Sequence, residues 1–152
     1  MYKKLLTFTL LSACTFMLSA CGDDDESDVT KPTINVIAPA DDAELVIGDA
    51  NGVTFEMEVG DNEALASYKI NIHSNFDGHT HSRASEANGA TTDFTFNKTY
   101  TNIAGQRTTH VQHNDIVIPA NATPGHYHLV VYLADQAGNE TYAARDIVLI
   151  EN

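Results

Sequence analysis

Seven histidines stand in this chain of 152 residues, and five of them fall into two tight groups. The stretch "NIHSNFDGHTHSR" (71–83) holds His73, His79 and His81 with Asp77 among them, and "HYH" holds His126 and His128. Several imidazole nitrogens with one carboxylate suit Zn²⁺, Cu²⁺ or Ni²⁺, whereas Ca²⁺ and Mg²⁺ favour oxygen cages. Donor chemistry points to zinc and the affinity order to copper(II), so the residues leave that pair open. Cu⁺ fits less well, because a chain that loses Cys14 and lipidates Cys21 keeps no free thiol and only Met57 as a soft donor. The alternative for the same residues is a polar sheet face and loop rich in solvated imidazole.

Whether these donors meet depends on the elements that carry them. From Lys31 onward apolar residues recur with period two, broken by turn residues, and "PTINVIAP", "VTFEMEV", "ASYKINIH", "TTDFTFNKTYT", "RTTHVQHNDIVIP", "HYHLVVYLAD" and "TYAARDIVLI" read as strands. No stretch carries a sustained helical stripe. About seven short antiparallel strands in this length predict an all-β chain, a single immunoglobulin-like β-sandwich. Tyr127 sits where such folds carry a corner tyrosine, and Asp135, Gly138 and Asn139 supply hairpin-turn chemistry. The tryptophan and cysteine pair of antibody domains are missing, so the core must rest on residues such as Phe55, Tyr68, Ile70, Phe94, Phe96 and Leu129.

Alternation then orients the histidines. With Tyr68, Ile70 and Ile72 on the core face, His73 points outward; with Tyr127, Leu129, Val131 and Leu133 inward, His126 and His128 share the outer face. Their backbones stand ~6.7 Å apart along that face. The third and sixth strands of such a sandwich are antiparallel neighbours, which sets His73 beside His126 and His128. The segment leaving His73 carries Asp77, His79 and His81, and Gly78 permits a bend that returns them to the same sheet end. His73, Asp77, His79, His81, His126 and His128 therefore form the candidate metal site. His110 and His113 fall on opposite faces of a strand expected in the other sheet and are left out of it. Asp61, Asn62, Glu63 and Asp135 gather at the opposite end, where turn capping is the ordinary reading and calcium the alternative.

Upstream of the domain, Lys3 and Lys4 precede an apolar run that stops at Cys21, and Leu18, Ser19, Ala20 and Cys21 form a bacterial lipobox. This predicts a lipoprotein signal peptide over 1–20, a lipidated Cys21 followed by an acidic disordered tether over 21–30 ("GDDDESD"), and the sandwich over 31–152. The lipid, not a spanning helix, is then the membrane contact. Cleavage removes two of the 8 basic residues and none of the 21 acidic ones, taking the formal net charge from −13 to about −15. Such a chain lacks the basic face that nucleic acid requires, and cations are its natural counter-species.

The segments "SYKINIHSNFDGHTH" and "GHYHLVVYLADQAGNE", with the lipobox, resemble a family of Bacteroidota lipoproteins catalogued as domain of unknown function 4625. The resemblance implies an immunoglobulin-like fold over most of the mature chain and a cell-envelope location, and it brings no activity with it. The acidic run after the lipidated cysteine also resembles the signal of surface-exposed lipoproteins. A plain spacer is the equal alternative for that run, so an outer-membrane lipoprotein is expected, with periplasmic and surface-exposed orientations both open, holding Zn²⁺ or Cu²⁺ on its histidines. The alternative is an interaction or adhesion module that contacts an envelope protein or glycan without metal. A metalloenzyme built on the same histidines is the third alternative, but catalysis is not expected: the chain has no H-E-x-x-H helix and no G-x-S-x-G elbow, and Asp77 is the one carboxylate placed to act as a general base.

Overall fold

A computed structural model of the chain describes residues 27–75 and 91–152. Eight strands form there: β1 (Thr33–Ala38), β2 (Ala43–Val46), β3 (Val53–Gly60), β4 (Leu65–Ser74), β5 (Phe96–Tyr100), β6 (Thr108–Ile116), β7 (Gly125–Asp135) and β8 (Glu140–Ile150). They make two sheets, β1-β3-β6 and β2-β8-β7-β4-β5, packed as a sandwich. Among the described residues no helix is long and apolar enough to cross a membrane.

Period two decides what lies between the sheets. On β4 Tyr68, Ile70 and Ile72, and on β7 Tyr127, Leu129, Val131 and Leu133, are at most 1% exposed, while their neighbours in sequence face out. Phe55 and Met57 close the core from β3. Each fully buried side chain of this size contributes roughly 1.5–3 kcal/mol relative to exposure, so the alternation outweighs any local propensity. Phe96, expected in the core, is half-buried and packs at its edge.

Tyr127 is a corner tyrosine, as its place in the sequence suggests. Its hydroxyl donates to the Thr123 carbonyl at 2.8 Å and accepts from the Phe94 amide at 3.2 Å. One buried hydroxyl thus satisfies backbone groups from two segments and fixes how the chain enters β7.

Two elements differ from the sequence expectation. The chain passes Ala38 and the cis-bonded Pro39, then crosses to the other sheet as β2, which pairs in parallel with β8. Four residues are too few for an alternating signal to stand out between the flanking aspartates and glycines. The strand expected over 91–101 is shorter, since only Phe96–Tyr100 pairs with β4, while Thr92 makes an isolated bridge to Ala122.

Candidate functional site

Antiparallel pairing of β4 with β7 places His73 directly opposite His128, and pairing of β7 with β8 places His128 directly opposite Asp146. The three residues form one transverse row on the outer face of the five-stranded sheet. Inward neighbours Ile72, Tyr127 and Ile147 are buried, which is why all three row members face out. The rings of His73 and His128 have centroids 5.6 Å apart and meet edge to face at 90°.

Each ring is held through one nitrogen. His73 Nδ1 lies 2.8 Å from Asn71 Oδ1, and His128 Nε2 lies 2.9 Å from Asp146 Oδ1. Both oxygens are acceptors, so in the neutral imidazoles the proton sits on those two nitrogens. The lone pairs then fall on His73 Nε2 and His128 Nδ1. An imidazole whose N–H is fixed by a carboxylate or amide oxygen is the form that ligates a metal, because the partner sets tautomer and ring orientation together.

His126 faces outward two residues before His128, and its carbonyl accepts the Asn75 amide at 3.0 Å as the chain leaves β4. Asp77, His79 and His81, the other members of the expected set, lie outside the described residues, as does Cys21. His73, His126 and His128 therefore share one sheet end and one face. Asn71 and Asp146, which hold the rings, were not singled out in the sequence. Asp146 was legible in principle: Ile147 and Leu149 claim the core face of β8, so Asp146 must face out beside β7.

His110 and His113 belong to the three-stranded sheet. His110 is exposed, with Nε2 2.9 Å from Glu56 Oε1 on β3. His113 turns inward, and its ring stacks on those of Phe55 and Tyr100 at centroid distances of 5.1 and 4.9 Å. Neither reaches the row formed by His73, His128 and Asp146.

At the opposite end of the sandwich the β3–β4 and β7–β8 connections come together with the segment that precedes β1. Asp61 Oδ1 accepts the amides of Glu63 and Ala64 at 2.9 and 2.8 Å, and Asp135 Oδ1 accepts the Asn139 amide at 2.7 Å, so both aspartates cap their turns. Asp28 joins them from upstream, and one carboxylate oxygen of each of Asp28, Asp61 and Asp135 lies within 4.8 Å of the others. Among the described residues this is the group of three metal-type donors that fits one coordination sphere. Asp28 went unnoticed in the sequence because it ends an acidic run that reads as tether.

No curated protein matches the chain. Residues 19–150 match the family model described as domain of unknown function (DUF4625), a span that takes in both ends of the sandwich. The chain belongs to the DUF4625 family.

Proposed function

We propose that this protein is a lipid-anchored cell-envelope module, held through Cys21 in the outer membrane, that binds Zn²⁺ or Cu²⁺ at the histidine end of its sandwich. The observation that carries this reading is the row formed by His73, His128 and Asp146. Two imidazoles stand side by side, each with one nitrogen fixed by an oxygen acceptor and the other carrying its lone pair. His126 on the same face and Asp77, His79 and His81 in the segment that follows β4 supply the further donors. The role is capture or transfer of the ion, not catalysis.

A second reading, an interaction module without metal, has its own support on the same sheet. Tyr132 and Tyr142 are 43% and 69% exposed with ring centroids 6.3 Å apart, and Lys69 reaches over Tyr132. Such a rigid aromatic pair suits contact with a protein or glycan.

Calorimetric titration of the purified protein with Zn²⁺ and with Cu²⁺ separates the two. Saturable binding tighter than millimolar, weakened at least about tenfold in a His73→Ala, His128→Ala variant, is expected, tenfold being about 1.4 kcal/mol. Heats that saturate only above millimolar and do not change in the variant would leave the interaction module as the better account.

A further inference from the structure

Three carboxylates crowd the far end of the sandwich from the histidines, and local capping accounts for only part of their arrangement. Asp28 Oδ1 accepts from the Thr30 amide at 2.9 Å and from Asn62 Nδ2 at 3.0 Å. Asp61 Oδ1 is taken by the Glu63 and Ala64 amides. The remaining oxygen of each, Oδ2, is out of contact with solvent and meets no hydrogen-bond donor. Asp135, the third member, is 3% exposed and accepts only from Asn139.

Among the described residues no lysine, arginine or histidine pairs with Asp28, Asp61 or Asp135; Arg107, whose carbonyl accepts the Asp61 amide, is engaged with Glu63 at 3.3 Å. Polar atoms shut off from solvent ordinarily have a hydrogen-bond partner, and two carboxylate oxygens without one beside a third carboxylate point to a counter-species. Local capping explains the Oδ1 atoms of Asp28 and Asp61 and leaves their Oδ2 atoms without a reason.

We infer that Asp28, Asp61 and Asp135 form a Ca²⁺ site that fastens the segment entering the domain to the loops β3–β4 and β7–β8. The donor set is all oxygen, which suits a hard cation and not the ions proposed for the histidine end. Oxygens that share one Ca²⁺ at 2.3–2.6 Å lie at most about 5 Å apart, and the three here lie within 4.8 Å of one another. Mg²⁺ binds at about 2.0–2.1 Å in a stricter octahedron and gives up its waters reluctantly, so it fits a site built from three separate segments less well. Asp28 is also tied to Asn62 and, through its carbonyl, to Asn139 at 3.0 Å, so an ion at this point would reinforce the hold of the incoming segment on two loops that the β4–β7 pairing already brings together.

The test is thermal unfolding of the purified protein at constant ionic strength, in chelator, in Ca²⁺ and in Mg²⁺, with Asp28→Asn beside the unaltered chain. Asparagine at this position keeps Oδ1 for Thr30 and Asn62 and removes the charge. A dissociation constant on the order of 10⁻⁴–10⁻³ M is expected, as in extracellular modules. At about 10 mM Ca²⁺ this should raise the Tm by about 5 °C, with a smaller effect from Mg²⁺. In Asp28→Asn the Ca²⁺ response should disappear while the Tm in chelator stays the same or rises, because a like charge has been removed; a purely structural carboxylate would show neither. An absent Ca²⁺ shift, an equal shift from Mg²⁺, or an undiminished shift in Asp28→Asn would each overturn the assignment.

Discussion

His113 and His128 are both imidazoles on strands, and their surroundings ask opposite things of them. His128 stands on an outer face with Asp146 at Nε2, which fixes the orientation of the ring. His113 is 15% exposed at its side chain, packed against Phe55, Tyr68 and Tyr100 at the edge of a cleft of about 300 Å³ between β5 and β6. Its Nδ1 accepts the Asp115 amide and its Nε2 has no partner, so the site suits the neutral ring. Burial pushes its pKa below the ordinary value of 6.5, and nearby Lys98 adds to that against the opposing pull of Asp115. Burial likewise raises the Tyr68 and Tyr100 phenols, which stay protonated. The pH dependence follows from His113. Below about pH 6.5 the unfolded chain takes up a proton that the folded chain refuses, so stability should fall as pH drops, until the depressed folded-state value is reached. The slope is at most about 1.4 kcal/mol per pH unit. Urea unfolding of the protein and of His113→Phe between pH 7.5 and 5.5 checks this: the substituted protein should lose less stability over that window, and parallel losses would refute the assignment.

At the scale of elements, a backbone close approach helps to hold β3 against β6 in the three-stranded sheet. Gly52, in the turn that leads into β3, has φ +73°, and a Cβ there would stand 2.2 Å from the Asn114 carbonyl oxygen on β6. Any side chain meets both a left-handed backbone and a backbone wall, and the wall cannot swing away. Gly138, in the β7–β8 turn, has φ +93° with nothing within 4 Å. Gly138→Ala should therefore cost only the conformational strain, about 1–2 kcal/mol, whereas Gly52→Ala adds a clash and should cost about 2–4 kcal/mol. Urea midpoints measure both, and equal losses would mean that β3 and β6 move apart freely at this point. Alternation on β4 and β7 was legible because seven buried residues repeat at period two. The crossing of β1 to β2 was not, since its strand is shorter than the pattern needed to see it. Over 91–95 the alternation continues but the pairing does not: β4 runs on to Ser74, while the Phe94 amide bonds the Tyr127 hydroxyl instead of a neighbouring strand.

For the whole molecule, charge is the governing term. With 21 acidic residues against 8 basic ones, the chain repels itself, and monovalent salt screens that repulsion without occupying a site. Raising NaCl from about 0.02 to about 0.5 M should lift the Tm by about 3 °C. Asp28→Asn should respond to NaCl nearly as the unaltered chain does, because one charge in many barely alters the overall field. A salt response that vanished with Asp28 would place the repulsion at that one cluster. The sandwich also separates its two donor sets. β4 and β7 run from pole to pole, so His73, His126 and His128 lie at one and Asp61 and Asp135 at the other. Ions of different hardness would thus address different ends.

The amino-acid order alone determined the all-β class, the outward facing of His73, His126 and His128, the corner tyrosine, and the separation of histidines from the Asp61 and Asp135 end. Each of these follows from period two or from a local turn, interactions that reach only a few residues along the chain. Tertiary structure decided the rest. Asp146 lies 18 residues beyond His128 and comes to it only through the β7–β8 register. Asp28 precedes Asp135 by more than a hundred residues and meets it where a loop, a hairpin turn and the incoming chain converge. The surroundings of His113 belong with these, because its ring packs on Phe55 from one sheet and on Tyr68 and Tyr100 from the other, and which rings meet across the sandwich is not written in the periodicity of a single strand.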